Sequence, residues 1–331
     1  MAQAIVSTLK GEPATLLEID EDEFFEGTGG EEAVDVEVLY SSLNYKDGLA
    51  LAGRPGVVRE WPLVPGIDLV GRVSASRSPR LSAGDLVVLN GDGLGEFRHG
   101  GFATRARVRP DALLHLPEAI SPWRAAAIGT AGFTAMLAVL ALEDARVTPD
   151  DGEVLVTGAA GGVGSVAISL LAGRGYRVVA STGRAEEQGG YLEGLGATRV
   201  IDRASLGEPG RPLQSQAWAG AIDSVGGAAL ANILAQTLYG GTVVACGLAA
   251  SADLPTTVMP FILRSVTLTG ANSVEAPLTL RQRAWHDLAT ELDLEALDGM
   301  TTTLGLAETL DAAPRILAGQ VRGRTVVDPN R

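Results

Sequence analysis

The chain is poor in the side chains that most often hold metals or staple a fold. Of its 331 residues one is cysteine, Cys246, and three are histidine, His99, His115 and His286. A lone thiol forms no intrachain disulfide and excludes structural zinc clusters built from several cysteines. It fits a reducing compartment, and a cytoplasmic protein is expected. Positive charge is scarce as well: the net charge is −14 and no dense Lys/Arg block interrupts it. That argues against a nucleic-acid or anionic-membrane partner. Lysine occurs only at Lys10 and Lys46, the other cations being arginine; Lys46 marks either a place where a guanidinium does not fit or simple drift. Long apolar runs are nearly absent. The one exception, residues 125–142, is alanine-rich and interrupted by Gly129, Thr130, Gly132 and Thr134, which reads as a buried turn and a core helix rather than a membrane span. The first twenty residues lack a basic start, an apolar core and a small-residue cleavage site, so no secretory signal is expected.

What is present is an ordinary globular composition, 46% hydrophobic and 20% charged, in a length that suits two cores. Up to about residue 122 the chain breaks into short apolar segments, VDVEVLYSSL, LVGRVSAS, GDLVVLN and FATRARV, separated by Gly, Pro and charged turns. This is the pattern of an antiparallel β-rich domain. From Trp123 the strand-like VLVTG, RVVAST, TRVID, GAIDSVG, GTVVACG and VTLTGAN alternate with helical stretches. That pattern predicts an α/β fold with a doubly wound parallel sheet. An amphipathic helix is expected over 280–297, followed by a helix and a strand that return to the first domain. The expected division is therefore 1–122 with 297–331, and 123–296.

The stretch VLVTGAAGGVGSVA sets a glycine-rich turn between a strand and a helix. At the spacing of the dinucleotide fingerprint it has Ala159, Gly161 and Gly164, with Gly158 just before. Such a turn needs backbone freedom, close approach to a pyrophosphate, and helix N-terminal amides facing negative charge. A tight strand-to-helix turn without a ligand is the plain alternative. The second strand ends in Ser181, Thr182, Gly183 and Arg184 instead of the acid that binds an NAD ribose 2′-hydroxyl. Hydroxyls and a guanidinium suit a 2′-phosphate, so NADPH is the expected cofactor; Arg184 as a solvated loop charge is the alternative.

The segments SSLNYKDGLALAGR, PLVPGIDLVGRV, VLVTGAAGGVGSVA, VVASTGR and PFILRSVTLTGANSV resemble the medium-chain dehydrogenase/reductase superfamily. Within it they look like the zinc-independent acryloyl-CoA reductase and YhdH-type quinone oxidoreductase group, over nearly the whole chain. The resemblance implies a GroES-like β-rich catalytic domain, a Rossmann NADP-binding domain, a cleft between them and a homodimer. Zinc-dependent relatives carry Cys, His and Cys or an acid where this chain has Asn44, Ile67 and the AIGTAG stretch, so no metal is expected. The three histidines are scattered and read as surface or packing residues.

By the same resemblance Asn44, Tyr45 and Asp68 are the expected catalytic residues, although Asn44 with Asp47 three positions on also reads as a helix N-cap. Asp68, flanked by apolar residues, needs a partner, and Arg324 is the one expected. Cofactor contacts are expected from Tyr45, Lys46, Thr130, Ala160, Gly161, Gly162, Val163, Ser181, Thr182, Gly183, Arg184, Arg199, Ser224, Cys246, Gly247, Leu248, Asn272 and Arg324. Most of these fall beyond the carboxyl ends of strands, where open α/β sheets bind ligands; Cys246 reads as a small buried thiol rather than a nucleophile.

The implied reaction is hydride transfer from NADPH to the β-carbon of an α,β-unsaturated acyl thioester, acryloyl-CoA above all. A donor such as Asn44 or a ribose hydroxyl would stabilise the enolate oxygen, and Tyr45 or water would protonate the α-carbon. The alternatives are NADPH-dependent quinone reduction and, outside catalysis, an NADPH-binding sensor or structural protein. An anionic substrate meeting a chain of charge −14 also calls for a local positive patch, with Arg54, Arg59, Arg98, Arg281 and Arg283 as candidates.

Dialysis against a chelator is expected to leave turnover intact, and elemental analysis is expected to find no stoichiometric zinc in active enzyme; zinc at one ion per chain would overturn the metal-free reading.

Overall fold

The computed structural model describes residues 2–331, and packing divides them into two compact units. The first comprises residues 2–133, 273–290 and 297–331; the second, residues 134–272 and 291–296.

In the first unit the segments read from the sequence as antiparallel strands form Val34–Ser42, Asp68–Ser76, Leu86–Asn90 and Arg105–Val108. They belong to a seven-stranded sheet whose path runs from Thr301–Gly305 through Arg324–Asp328, Val34–Ser42, Asp68–Ser76 and Leu86–Asn90 to Leu114–His115, with Arg105–Val108 on the flank of Val34–Ser42. A separate pair, Ala2–Val6 and Thr15–Ile19, is antiparallel. Alternation packs Val34, Val36, Val38, Leu69, Val87 and Leu89 into one core. The C-terminal return is real: Arg324–Asp328 pairs antiparallel with Val34–Ser42, Val326 opposite Ser42. The sequence reading missed the short strand Thr301–Gly305, whose threonine-rich segment pairs parallel to Arg324–Asp328.

In the second unit all six predicted strands are present and parallel: Glu153–Thr157, Arg177–Thr182, Ala197–Asp202, Trp218–Asp223, Thr237–Ala245 and Thr267–Gly270. Counted along the chain, their order across the sheet is 3-2-1-4-5-6, the doubly wound arrangement. The central strands are buried on both faces, and Leu155, Val179, Ala221, Ile233, Leu234 and Val243 form the core.

The apolar run 125–142 lies in the helix Pro122–Asp144, the one helix among the described residues long and apolar enough to cross a membrane, and nearly all of it is buried within the protein. Its helical geometry breaks at Gly129, where φ is +48°. The helix expected over 280–297 is instead two, Leu278–Glu291 and Leu294–Gly299. Asp293 separates them because its carboxylate accepts from the backbone N–H of Glu295 and Ala296, a cap that starts the second helix.

Strands Val34–Ser42 and Asp68–Ser76 meet closely at Gly71, where an added Cβ would stand 2.3 Å from the Glu37 carbonyl oxygen. Gly71→Ala is expected to force the strands apart at a cost of about 1 to 3 kcal/mol, read as a lowered Tm in thermal unfolding; an unchanged Tm would show that this pair can relax freely.

Candidate active site

In the second unit the carboxyl end of the parallel sheet builds a candidate ligand site. Strand Glu153–Thr157 runs into a turn at Gly158, φ +57°, and helix Gly162–Gly173 begins after the N-cap Gly161. The turn is tied down by Ala159 N–H to the Ser181 carbonyl, 3.2 Å, and Gly161 N–H to the Gly158 carbonyl, 2.9 Å. At Gly164 a Cβ would lie 2.5 Å from the Gly158 oxygen and 2.6 Å from the Ala159 Cα, so only glycine lets the helix sit directly on the turn. Ala160 is buried, while Gly161, Gly162 and Val163 are half-buried at a helix N-terminus whose first amides have no partner within the helix. Such amides and the helix dipole favour a phosphate.

Around this turn lie most of the residues expected there. Ser181 and Thr182 are buried at the end of the second strand, and Arg184 follows at 3.7 Å from Glu187. Ser224 donates from its hydroxyl to the Thr157 carbonyl, 3.1 Å. Gly247 packs on the Ser224 backbone, where a Cβ would meet the Ser224 oxygen at 2.6 Å. Leu248 is 66% exposed beyond the fifth strand, a large apolar side chain left in the open. Asn272 is exposed after the sixth strand. Beneath them Asp223 is fully buried, bound by the Thr157 hydroxyl at 2.6 Å and by Gly226 N–H at 2.8 Å, and burial raises its pKa. Burial, then the Asp223 charge, pushes the Cys246 thiol up to about 12; this thiol donates to the Asp223 carbonyl at 3.3 Å and is no nucleophile.

Arg199 does not join this group. It reaches Glu153 at 2.7 Å and lies over Trp218, and both are the first residues of their strands, at the opposite end of the sheet. Arg203 stands by the second strand instead: a Cβ on Gly183 would be 2.5 Å from its Nε, and its N–H donates to the Thr182 carbonyl. The sequence signal for it is its place one residue after strand Ala197–Asp202.

The first unit holds a buried polar cluster of its own. Asp68, with no exposed surface, accepts at Oδ1 from Asn90 Nδ2 (2.7 Å), Thr130 N–H (2.8 Å) and the Thr130 hydroxyl (2.6 Å). At Oδ2 it accepts from the Ser42 hydroxyl and from Asn44 Nδ2 at 2.8 Å. Arg324, also buried, donates to the Ala127 carbonyl (2.6 Å), the Ser42 hydroxyl (2.9 Å) and Asn44 Oδ1 (3.3 Å). The expected Asp68–Arg324 link thus runs through Ser42 and Asn44. With its donors turned inward, Arg324 is not placed to hold a phosphate. Gly129 is required here, because a Cβ would lie within 2.7 Å of Ser42, Arg324 and Asp68 side-chain atoms.

Asn44 precedes helix Tyr45–Leu51, and Asp47 Oδ2 accepts from its N–H (2.8 Å) and its Nδ2 (3.0 Å), while Asp47 Oδ1 accepts from Ile67 N–H (2.9 Å). Burial, then the nearby Asp68 charge, raises the Asp47 carboxyl to about 7. Asn44 has spent its amide inside the cluster and is not a free donor, which corrects the expectation that it meets a substrate oxygen. Tyr45, beside it, is 44% exposed. Lys46 makes an ion pair with Glu96 at 2.9 Å rather than lying free. Ser42, Asn90 and Glu96 were missed, since a buried serine, asparagine or glutamate leaves no periodic mark. The candidate Arg281 is buried too, donating to the carbonyls of Ala276, Asn90, Ser273 and Val274. His99 packs against Phe24 and Phe25, and burial lowers its pKa to about 4.

Where zinc-dependent relatives carry ligands, Asn44 is committed to the Asp68 cluster, and Ile67 has an aliphatic side chain, with its N–H donated to Asp47 and its carbonyl accepting from Gly91. Among the described residues no group of three His, Cys, Asp or Glu could hold a metal ion. The donor set does not fit zinc. The glycine turn, by contrast, fits a dinucleotide.

Comparison with known proteins agrees with this geometry. The alcohol dehydrogenase GroES-like domain matches residues 30–118, and the zinc-binding dehydrogenase domain matches residues 162–294. The chain is 49% identical over 317 residues to the probable acrylyl-CoA reductase AcuI of Escherichia coli (strain K12), covering 96% of each. It is 51% identical over 298 residues to the acrylyl-CoA reductase AcuI of Ruegeria pomeroyi, covering 90% of each. The YhdH oxidoreductase from Salmonella enterica in complex with NADP superposes with a TM-score of 0.94 at 48% identity, over 99% of both chains. The chain therefore belongs to the medium-chain dehydrogenase/reductase superfamily, in the group of acrylyl-CoA reductases and YhdH-type oxidoreductases.

Proposed function

We propose that this protein is an NADPH-dependent reductase of α,β-unsaturated acyl-CoA thioesters that converts acryloyl-CoA to propanoyl-CoA. The observation that carries the reading is the identity of about half to acrylyl-CoA reductases along nearly the full chain. The acid-free end of the second strand, with Ser181, Thr182, Arg184 and Arg203 around Gly183, supports NADPH over NADH.

Bound at the glycine turn, NADPH would supply the hydride for the β-carbon. Reduction then places negative charge on the thioester oxygen and calls for a proton at the α-carbon. The chain's contribution is to bind, orient and donate. The Gly161, Gly162 and Val163 amides would hold the pyrophosphate and Thr182 to Arg184 the 2′-phosphate, with Ser224, Gly247, Leu248 and Asn272 at the strand ends. Tyr45 is the exposed phenol available to donate to the oxygen or the α-carbon. Asn44, Asp68, Thr130 and Arg324 hold the segment that carries Tyr45. By function, residues 1–122 with 297–331 make the catalytic domain and 123–296 the nucleotide domain. A homodimer is supported by the open edge strand Thr267–Gly270 and by the exposed Val258, Met259, Ile262 and Leu263 on and beside helix Met259–Arg264. The single thiol suits the cytoplasm.

Steady-state turnover with NADPH is expected to give a higher kcat/KM for acryloyl-CoA than for simple quinones. Quinone reduction without thioester reduction would favour the oxidoreductase alternative, and NADPH that binds but is oxidised by no acceptor would leave a binding protein.

Arg184→Ala is expected to raise the Kd for NADPH by about ten- to a hundredfold while leaving NADH nearly unchanged, since a hydrogen bond to a charged group is worth roughly 1.5 to 3 kcal/mol. Equal losses for both cofactors, measured by titration calorimetry, would mean that Arg184 supports the loop and reads no phosphate.

A further inference from the structure

We infer that the first unit carries an anion subsite that receives the phosphates at the nucleotide end of an acyl-CoA substrate. It is a cavity of about 380 Å³ between the turn after strand Ala2–Val6 and the turn after helix Tyr45–Leu51. Lys10, Arg54 and Arg59 line it, against the single carboxylate of Glu12. Three cations lining one cavity are conspicuous in a chain of charge −14 that contains only two lysines.

The cavity is built. Gly53, φ +64°, lets the two turns touch: a Cβ there would stand 2.4 Å from the Glu12 carbonyl oxygen. Ala14 N–H donates to the Leu51 carbonyl at 2.9 Å, and Ser7 and Leu63 exchange backbone hydrogen bonds at 2.8 and 3.0 Å. At its lining the hydroxyl of Ser7, 2% exposed, is buried with no hydrogen-bond partner. An orphan hydroxyl of this kind is costly unless a ligand or water satisfies it.

Charge availability separates this cavity from the neighbouring one of about 230 Å³ lined by Arg98, Arg107 and Arg109. There each guanidinium is spent on a carboxylate: Arg98 on Asp92, Arg107 on Asp35, Arg109 on Asp111. Lys10 and Arg54 form no ion pair among the described residues, and Arg59 reaches Glu96 only at 3.7 Å with its side chain 64% exposed. The subsite opens at the C-terminal end of helix Tyr45–Leu51, whose seven residues span about 10 Å from Tyr45. An extended pantetheine arm bridges that distance, which puts the thioester toward Tyr45 and the phosphates toward Lys10 and Arg54. The inference rests on the acyl-CoA reading above.

The test compares acryloyl-CoA with acryloyl-pantetheine, which lacks the nucleotide phosphates, on wild type and on the Lys10→Ala, Arg54→Ala double variant, always with saturating NADPH. The double variant is expected to raise KM for acryloyl-CoA about tenfold or more, and the kcat/KM ratio of the two thioesters is expected to fall toward one. Adenosine 3′,5′-bisphosphate is expected to compete with acryloyl-CoA in wild type and to lose its hold in the variant. An unchanged ratio overturns the subsite while leaving the acyl-CoA activity in place. Competition by inorganic phosphate as strong as by the bisphosphate would reduce it to a general anion site and overturn the CoA assignment. Should neither thioester turn over, the substrate reading fails, and calorimetry of the bisphosphate on the NADPH-bound enzyme decides the subsite: binding that the double variant loses supports it, and no binding overturns it.

Discussion

The first unit is organised around one buried carboxylate. A charge such as Asp68, taken fully out of water, costs several kcal/mol unless donors surround it, and here Ser42, Asn44, Asn90 and Thr130 all converge on it. Those donors come from a strand end, a helix N-cap, a second strand end and the broken helix Pro122–Asp144. Satisfying Asp68 therefore ties these four segments to one point. Arg324 completes the arrangement by donating to Ser42 and Asn44 from the returning C-terminal strand. The requirement for glycine at Gly129 follows, since any side chain would occupy the space these atoms share.

The consequence for chemistry is a division of labour between neighbours in sequence. Asn44 and Asp47 point into the cluster and are buried, whereas Tyr45 on the next position is exposed. A helix that begins at Tyr45 with its cap locked on both sides leaves that phenol a defined origin, the preorganisation that donation to a developing charge requires. Lys46 is held by Glu96 in the same way, so the segment 44–47 presents a single free polar side chain.

In the second unit the governing constraint is backbone proximity. Parallel strands buried on both faces leave only their ends for ligands, and the turn at Gly158 to Gly164 brings helix and strand so close that the amides of the first helical turn lie open at that edge. The buried Asp223 ties the first and fourth strands beneath it through the Thr157 hydroxyl. Charge at the second strand comes from two directions, Arg184 along the chain and Arg203 from the neighbouring strand.

The amino-acid sequence alone determined the class of fold, the six parallel strands and the glycine turn, because alternation, apolar runs and glycine spacing are local and periodic. It also located Asn44, Asp68 and the acid-free STGR end. Tertiary structure alone decided what these groups touch. Arg199 and Arg203 are four residues apart and equally basic, yet parallel strand register sends one to Glu153 at the far end of the sheet and leaves the other at Gly183. The cap at Asp47 was visible in the spacing, but its raised pKa depends on Asp68, which only folding brings near. Ser42, Asn90 and the orphan hydroxyl of Ser7 gave no signal, since a small polar residue declares its role through partners distant in the chain, and those partners exist only once the strands are paired.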